Sequence, residues 1–137
     1  MAPLIKSAGP LPYNTTGKIL VRGANWIGDV IMGLPAVASI RRNFPKARIV
    51  VLAKPWVAAV YRRSPSVDEV VVYERPGIHG GLLGIMRLAL KLRRERYGLT
   101  FLLQNAFEAA FIARLAGIPR RAGFATDCRG LLLTDAA

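Results

Sequence analysis

The sequence predicts an α/β fold, a parallel sheet with helices on both faces. Short runs rich in β-branched and apolar residues alternate with segments whose apolar residues recur at helical spacing. Runs such as Ile19-Leu20-Val21 are continuously apolar, as in a strand buried on both faces. With 137 residues, 53% of them hydrophobic, the chain has room for one domain with a real core.

The elements follow in order. Lys18 to Gly23 reads as the first strand. Val30, Ile31, Leu34, Val37, Ala38 and Ile40 then recur at helical spacing, and Arg41-Arg42 stand where a helix end favours cations. Pro35 interrupts this pattern and implies either a kink or a helix that starts near Leu34. Arg48 to Ala53 is the second strand, and Pro55 suits the opening of a short helix, Trp56 to Arg63. Ser64-Pro65-Ser66 marks a turn before the third strand, Glu69 to Tyr73.

A glycine-rich loop, Glu74 to Gly81, leads to a helix from about Leu82 to Arg96. Its apolar face is expected to carry Leu82, Ile85, Met86, Ala89 and Leu92, and Arg87, Lys91 and Arg94 form a basic stripe on another face. Leu99 to Leu103 is the fourth strand, ending at Gln104-Asn105. The next helix, about Ala106 to Ala116, is stopped by Gly117 and Pro119. Arg121 to Phe124 reads as a fifth strand.

Net charge is +12, and fifteen of the twenty basic residues are Arg, the side chain suited to a two-pronged grip on phosphate or carboxylate. The exposed candidates lack interleaved aromatic residues and match no recognition motif, so a nucleic-acid partner is not expected. No apolar run reaches the roughly 18 residues of a membrane span. Residues 1–17 read as a flexible leader without the apolar stretch of a signal peptide. The lone Cys128 allows no intrachain disulfide and suits a reducing compartment. His79 has no Cys or second His to share a metal with, so no metal site is expected and His79 reads as a loop residue.

The segment with the most chemistry is Gly23-Ala24-Asn25-Trp26-Ile27-Gly28-Asp29. Asn25 replaces the middle glycine of a dinucleotide fingerprint, and Asp29-Val30 replace the Lys and Ser/Thr of a P-loop. Its two glycines let the chain turn sharply and bring bare amides near a ligand. Asp29 falls at or just inside a helix start, where the dipole favours negative charge. A capping role and a catalytic or ligand role are both compatible with that position. In such sheets the segments after each strand converge on one edge. Collected there are Asp29, Lys54, the loop from Arg75 to Gly81, Gln104-Asn105 and Arg120-Arg121: cations, amides and one carboxylate, a lining for an anionic, hydroxyl-rich ligand. Trp26 and Trp56 neighbour these loops.

Residues Ile19 to Ala36 resemble the opening of the ADP-heptose:lipopolysaccharide heptosyltransferases, glycosyltransferase family 9. Leu102 to Ala110 with Ala116 to Phe124 is similar to a second signature of that family. The resemblance covers residue 18 to about 134. It implies the amino-terminal half of a GT-B glycosyltransferase: a Rossmann-like acceptor-binding domain over 18–137, with no counterpart in this chain of the carboxyl-terminal domain that binds the donor. The implied reaction is inverting transfer of heptose from ADP-heptose to the phosphorylated inner core of lipopolysaccharide, with Asp29 as general base and no cofactor. Asn25, Trp26, Arg75, Gln104, Asn105, Arg120 and Arg121 are the implied acceptor contacts. The implied location is the cytoplasm, with peripheral contact to the anionic inner membrane; alone, this half is not expected to transfer heptose. A reading of a different class is a non-catalytic α/β module that binds a nucleotide or anion on its basic rim.

Overall fold

The computed structural model describes residues 17–73, 81–103, 107–123 and 133–136. The rest of the expected leader, His79 and Cys128 lie outside the described residues. The elements are β1 (Lys18–Arg22), α1 (Ile27–Asn43), β2 (Arg48–Ala53), α2 (Pro55–Arg62), β3 (Glu69–Val72), α3 (Gly81–Glu95), β4 (Leu99–Leu102), α4 (Phe107–Leu115), β5 (Arg120–Gly123) and β6 (Asp135–Ala136). All strands join one sheet in the order β3-β2-β1-β4-β5-β6, and every neighbouring pair is parallel. This is the doubly wound, Rossmann-like order, in which the chain works outward in one direction and then restarts beside β1 in the other. The two-residue β6 has no counterpart in the sequence reading.

Alternate residues of the central strands feed two separate cores. Ile19, Val21, Ile49 and Val51 pack with Val30 and Val37 of α1 and Val57 and Tyr61 of α2. Leu20, Val50 and Leu52 pack on the other face with Leu88 and Leu92 of α3 and Ile112 of α4. Each such side chain contributes about 1.5–3 kcal/mol by leaving water. Because both faces are covered, the strands read as unbroken apolar runs.

The structure corrects two expectations. The first helix does not begin near Leu34: α1 runs continuously over 17 residues with Pro35 inside it, which leaves the kink as the alternative still open. Proline leaves the Ile31 carbonyl without its N–H and costs about 3 kcal/mol in a helix interior. Val30 before it and Val37 and Ile40 after it are buried, so both halves of α1 are held on the sheet. In α3 the buried face is Ile85, Leu88, Ala89 and Leu92, whereas Leu82 and Met86 are exposed together with Leu83 and Leu90. The sheet takes the row spaced at three and four from Ile85, and the other apolar residues fall outside that arc.

Candidate functional site

β1 and β4 are neighbours, yet the chain leaves β1 toward α1 on one face and β4 toward α4 on the other. In sheets of this kind such a divergence marks the place outside the carboxyl ends of the strands where a ligand crevice usually lies. The loop from Gly23 to Trp26 lies at this edge. Gly23 is required by close packing: a Cβ there would stand 2.6–2.8 Å from the Tyr61 ring. Its N–H donates to the Leu52 carbonyl at 2.9 Å, continuing the ladder past the strand end. The Ala24 N–H donates to the Tyr61 hydroxyl at 3.3 Å. Burial raises the pKa of that hydroxyl above the usual phenol value, against smaller opposing pulls from the Ala24 amide and the Arg22 charge.

Arg22, the last residue of β1, is only 4% exposed. Its guanidinium donates to the Gly23 carbonyl at 2.7 Å, the Leu52 carbonyl at 3.3 Å and the Asn25 side-chain oxygen at 3.1 Å. It also lies 5.1 Å from the centre of the Tyr73 ring. Lys54, 9% exposed, places its ammonium 4.3 Å from the same ring and 5.8 Å from that of Trp56. Trp56 in turn donates its indole N–H to the Asn25 carbonyl at 2.6 Å. Two buried cations and three aromatic side chains therefore hold the loop that leads into α1.

Asp29 is the third residue of α1, exposed, and its side chain makes no hydrogen bond or ion pair with any described residue. The N-cap position belongs to Trp26, whose side chain makes no capping bond. Capping is thus not what occupies the Asp29 carboxylate. It stands at the carboxyl edge of the sheet, positioned by a helix whose first turn closes with the Val30 N–H donating to the Trp26 carbonyl at 2.9 Å.

The other expected site residues divide. Asn25 and the exposed Trp26 are at the same edge as Asp29. Arg75, Gln104 and Asn105 lie outside the described residues. Arg120 and Arg121 are a correction. They open β5, level with Leu99 and Thr100 at the start of β4, and so belong to the amino edge of the sheet. The length of a strand separates them from the rim where Asp29 sits. The Arg121 guanidinium donates to the Ile118 carbonyl at 2.6 Å, and burial, with Arg114 nearby, lowers its pKa. Arg22, Tyr61 and Tyr73 were not singled out from sequence. A cation ending an apolar strand in phase with the inward-facing Leu20 is the one local signal that could have found Arg22.

A hollow of about 700 Å³ lies apart from Asp29, between Ile31, Pro35 and Ala38 of α1 and Val60, Arg63 and Pro65. Among the described residues no cluster of three His, Cys, Asp or Glu could hold a metal, and no helix is long and apolar enough to cross a membrane.

Fold and site together define an α/β domain built to present a carboxylate and a cation-backed loop at the switch point of a doubly wound sheet. Residues 85–137 match the family model of glycosyltransferase family 9 (heptosyltransferase). The chain is 37% identical over 120 residues to lipopolysaccharide heptosyltransferase 2 of Escherichia coli (strain K12), covering 86% of this chain and 34% of that protein. It is 33% identical over 119 residues to lipooligosaccharide heptosyltransferase 2 of Haemophilus ducreyi, covering 86% and 34%. The solved structure of E. coli ADP-heptose lps heptosyltransferase II matches with a TM-score of 0.75 at 33% identity, over 87% of this chain and 34% of that one. The chain is thus related to the heptosyltransferases of glycosyltransferase family 9, and it spans about one third of the length of the relatives it matches (34%).

Proposed function

We propose that residues 18–137 are the acceptor-binding, amino-terminal part of a heptosyltransferase. It would move heptose from ADP-heptose to the phosphorylated inner core of lipopolysaccharide, with inversion at the anomeric carbon. The relatives' names supply the transferred sugar and the acceptor class. The observation that carries the chemistry is the Asp29 carboxylate, exposed and unengaged at the carboxyl edge of the sheet on a helix anchored in the core. In this reading Asp29 takes the proton of an acceptor hydroxyl while that oxygen bonds to the anomeric carbon and ADP departs with the electrons of the broken bond. A carboxylate is a weak base, so proton transfer comes late, as the hydroxyl acidifies in the transition state.

Asn25 and Trp26 contact the acceptor at the same edge, and the donor site lies in sequence that the relatives carry beyond this span. The acceptor's phosphates are drawn by the basic rim, and the enzyme works in the cytoplasm against the anionic inner membrane. In the chain extended by its relatives' remaining length, Asp29→Asn should cut turnover at least ~10²-fold. Binding of deacylated, phosphorylated inner core should persist. Turnover near that of the unsubstituted enzyme would remove Asp29 from the chemistry. Binding of ADP to the 137-residue chain alone, with none of the inner core, would favour the non-catalytic nucleotide-binding module instead.

A further inference from the structure

We propose that the outward side of α3 is a docking surface for anionic phospholipid headgroups, with its leucines dipping into the bilayer interface. The idea deepens the membrane contact put forward above and is independent of the chemistry at Asp29.

Leu82, Met86 and Leu90 follow one another at steps of four and are all exposed; Leu82 is 69% exposed. Leu83, 75% exposed, heads the adjoining row, which continues through Arg87, Lys91 and Arg94, all exposed. An apolar row thus runs beside a basic row on one helix. Ordinary helices packed on a sheet put leucine inward, and here the inward positions are already filled by Ile85, Leu88, Ala89 and Leu92. The exposed leucines are surplus to the core.

Charge selects the occupant. The only acid on α3 is Glu95, and it is engaged by Lys18 at 2.9 Å. The face therefore offers apolar side chains and a net positive charge together. That pairing suits a helix lying in the headgroup plane of an anionic leaflet, where long basic side chains reach phosphates while the apolar row enters the acyl boundary. A protein partner covering leucines alone would gain nothing from the cations. Placement fits as well: α3 follows β3, so in a parallel sheet its Leu82–Leu83 end is at the same edge as Asp29. A surface docked through α3 brings that edge to the membrane.

The test uses the 137-residue chain with vesicles of phosphatidylcholine alone or with roughly one third phosphatidylglycerol, read by sedimentation. Binding should require phosphatidylglycerol and weaken as salt rises. Replacing Arg87, Lys91 and Arg94 together by Gln should weaken it roughly a hundredfold. Leu83→Gln with Leu90→Gln should weaken it at least ~10-fold while leaving the salt dependence intact. All five side chains are exposed, so circular dichroism should show every variant folded.

Equal binding to both vesicles, or variants that bind like the parent, would overturn the proposal. So would self-association that the leucine pair abolishes without any vesicle binding, since a second copy would then be the occupant. In the extended protein, a Leu90→Cys thiol shielded from a soluble reagent would assign the face to the remaining chain and also overturn it. None of these outcomes touches Asp29, so the transferase reading stands or falls separately.

Discussion

Among the described contacts, the two edges of this sheet treat charge differently. At the amino edge three cations are matched with acids: Lys18 with Glu95 at 2.9 Å, Arg48 with Glu69 at 3.1 Å, and Arg41 at the end of α1 with Asp68 just before β3. At the carboxyl edge, the described contacts of Arg22 and Lys54 are to carbonyls, an amide oxygen and ring faces, and the Asp29 carboxylate is left to solvent. A matched edge has little left to offer a ligand and serves to tie strands together. The other edge has its backbone held by buried cations and its carboxylate kept available. The difference teaches that the charge of +12 is not one property; its meaning depends on which end of a strand carries it.

The largest expected effect comes from loosening the functional edge. Gly23→Ala would drive a methyl to within 2.6–2.8 Å of the Tyr61 ring, whose hydroxyl also receives the Ala24 N–H. Overpacking of this kind costs roughly 1–3 kcal/mol. A denaturant midpoint lowered accordingly is expected, and Gly23→Ala with Tyr61→Leu should recover part of the loss because the ring is gone. An unchanged midpoint in the single variant would show that the loop is not pinned.

The matched edge should respond less, and in a pH-dependent way. Burial alone would raise the pKa of Asp68, but the Ile49 N–H, at 2.8 Å, and the Arg41 guanidinium outweigh it and hold the carboxyl below the ordinary range. A depressed folded-state value stabilises the fold above about pH 4, and that contribution is lost as pH falls through the folded value. Asp68→Asn should therefore cost about 1 kcal/mol at neutral pH, a figure kept small because the pair is partly exposed and screened. The gap between variant and parent should close in acid. A gap that stays constant from pH 7 to pH 2 would mean the pair does not tie this edge.

How much of this was legible in sequence follows from the range of each signal. Strand positions were legible because β1 and β2 are unbroken apolar runs, and β4 ends one residue from its expected limit. Asp29 was legible because strand, glycine loop and helix start are contiguous. Arg120 and Arg121 were misassigned because an edge is set by the register of β5 on β4, which no local pattern encodes. Arg22 escaped notice since its partners Leu52 and Tyr73 are distant in the chain. Leu82 and Met86 were put inward because spacing gives a face but not the bearing of the sheet it meets. Pro35 reads locally as a kink or a helix start, and the buried anchors on either side that keep α1 in one piece are not visible in its local pattern.

The smallest expected effect bears most directly on why the carboxyl edge is kept as it is. Gly28, the second residue of α1 and the neighbour of Asp29, does not sit in the left-handed region, and a Cβ there would meet nothing within 4 Å. Nothing in the fold asks for glycine, which costs a helix roughly 0.5–1 kcal/mol against alanine. Gly28→Ala should thus raise the denaturant midpoint slightly with its slope unchanged. If this edge is held clear for an acceptor, the added methyl should at the same time weaken inner-core binding by the chain. Should stability and binding both rise, the glycine is not reserving space beside Asp29, and the contrast between a matched edge and an available one loses its best local support.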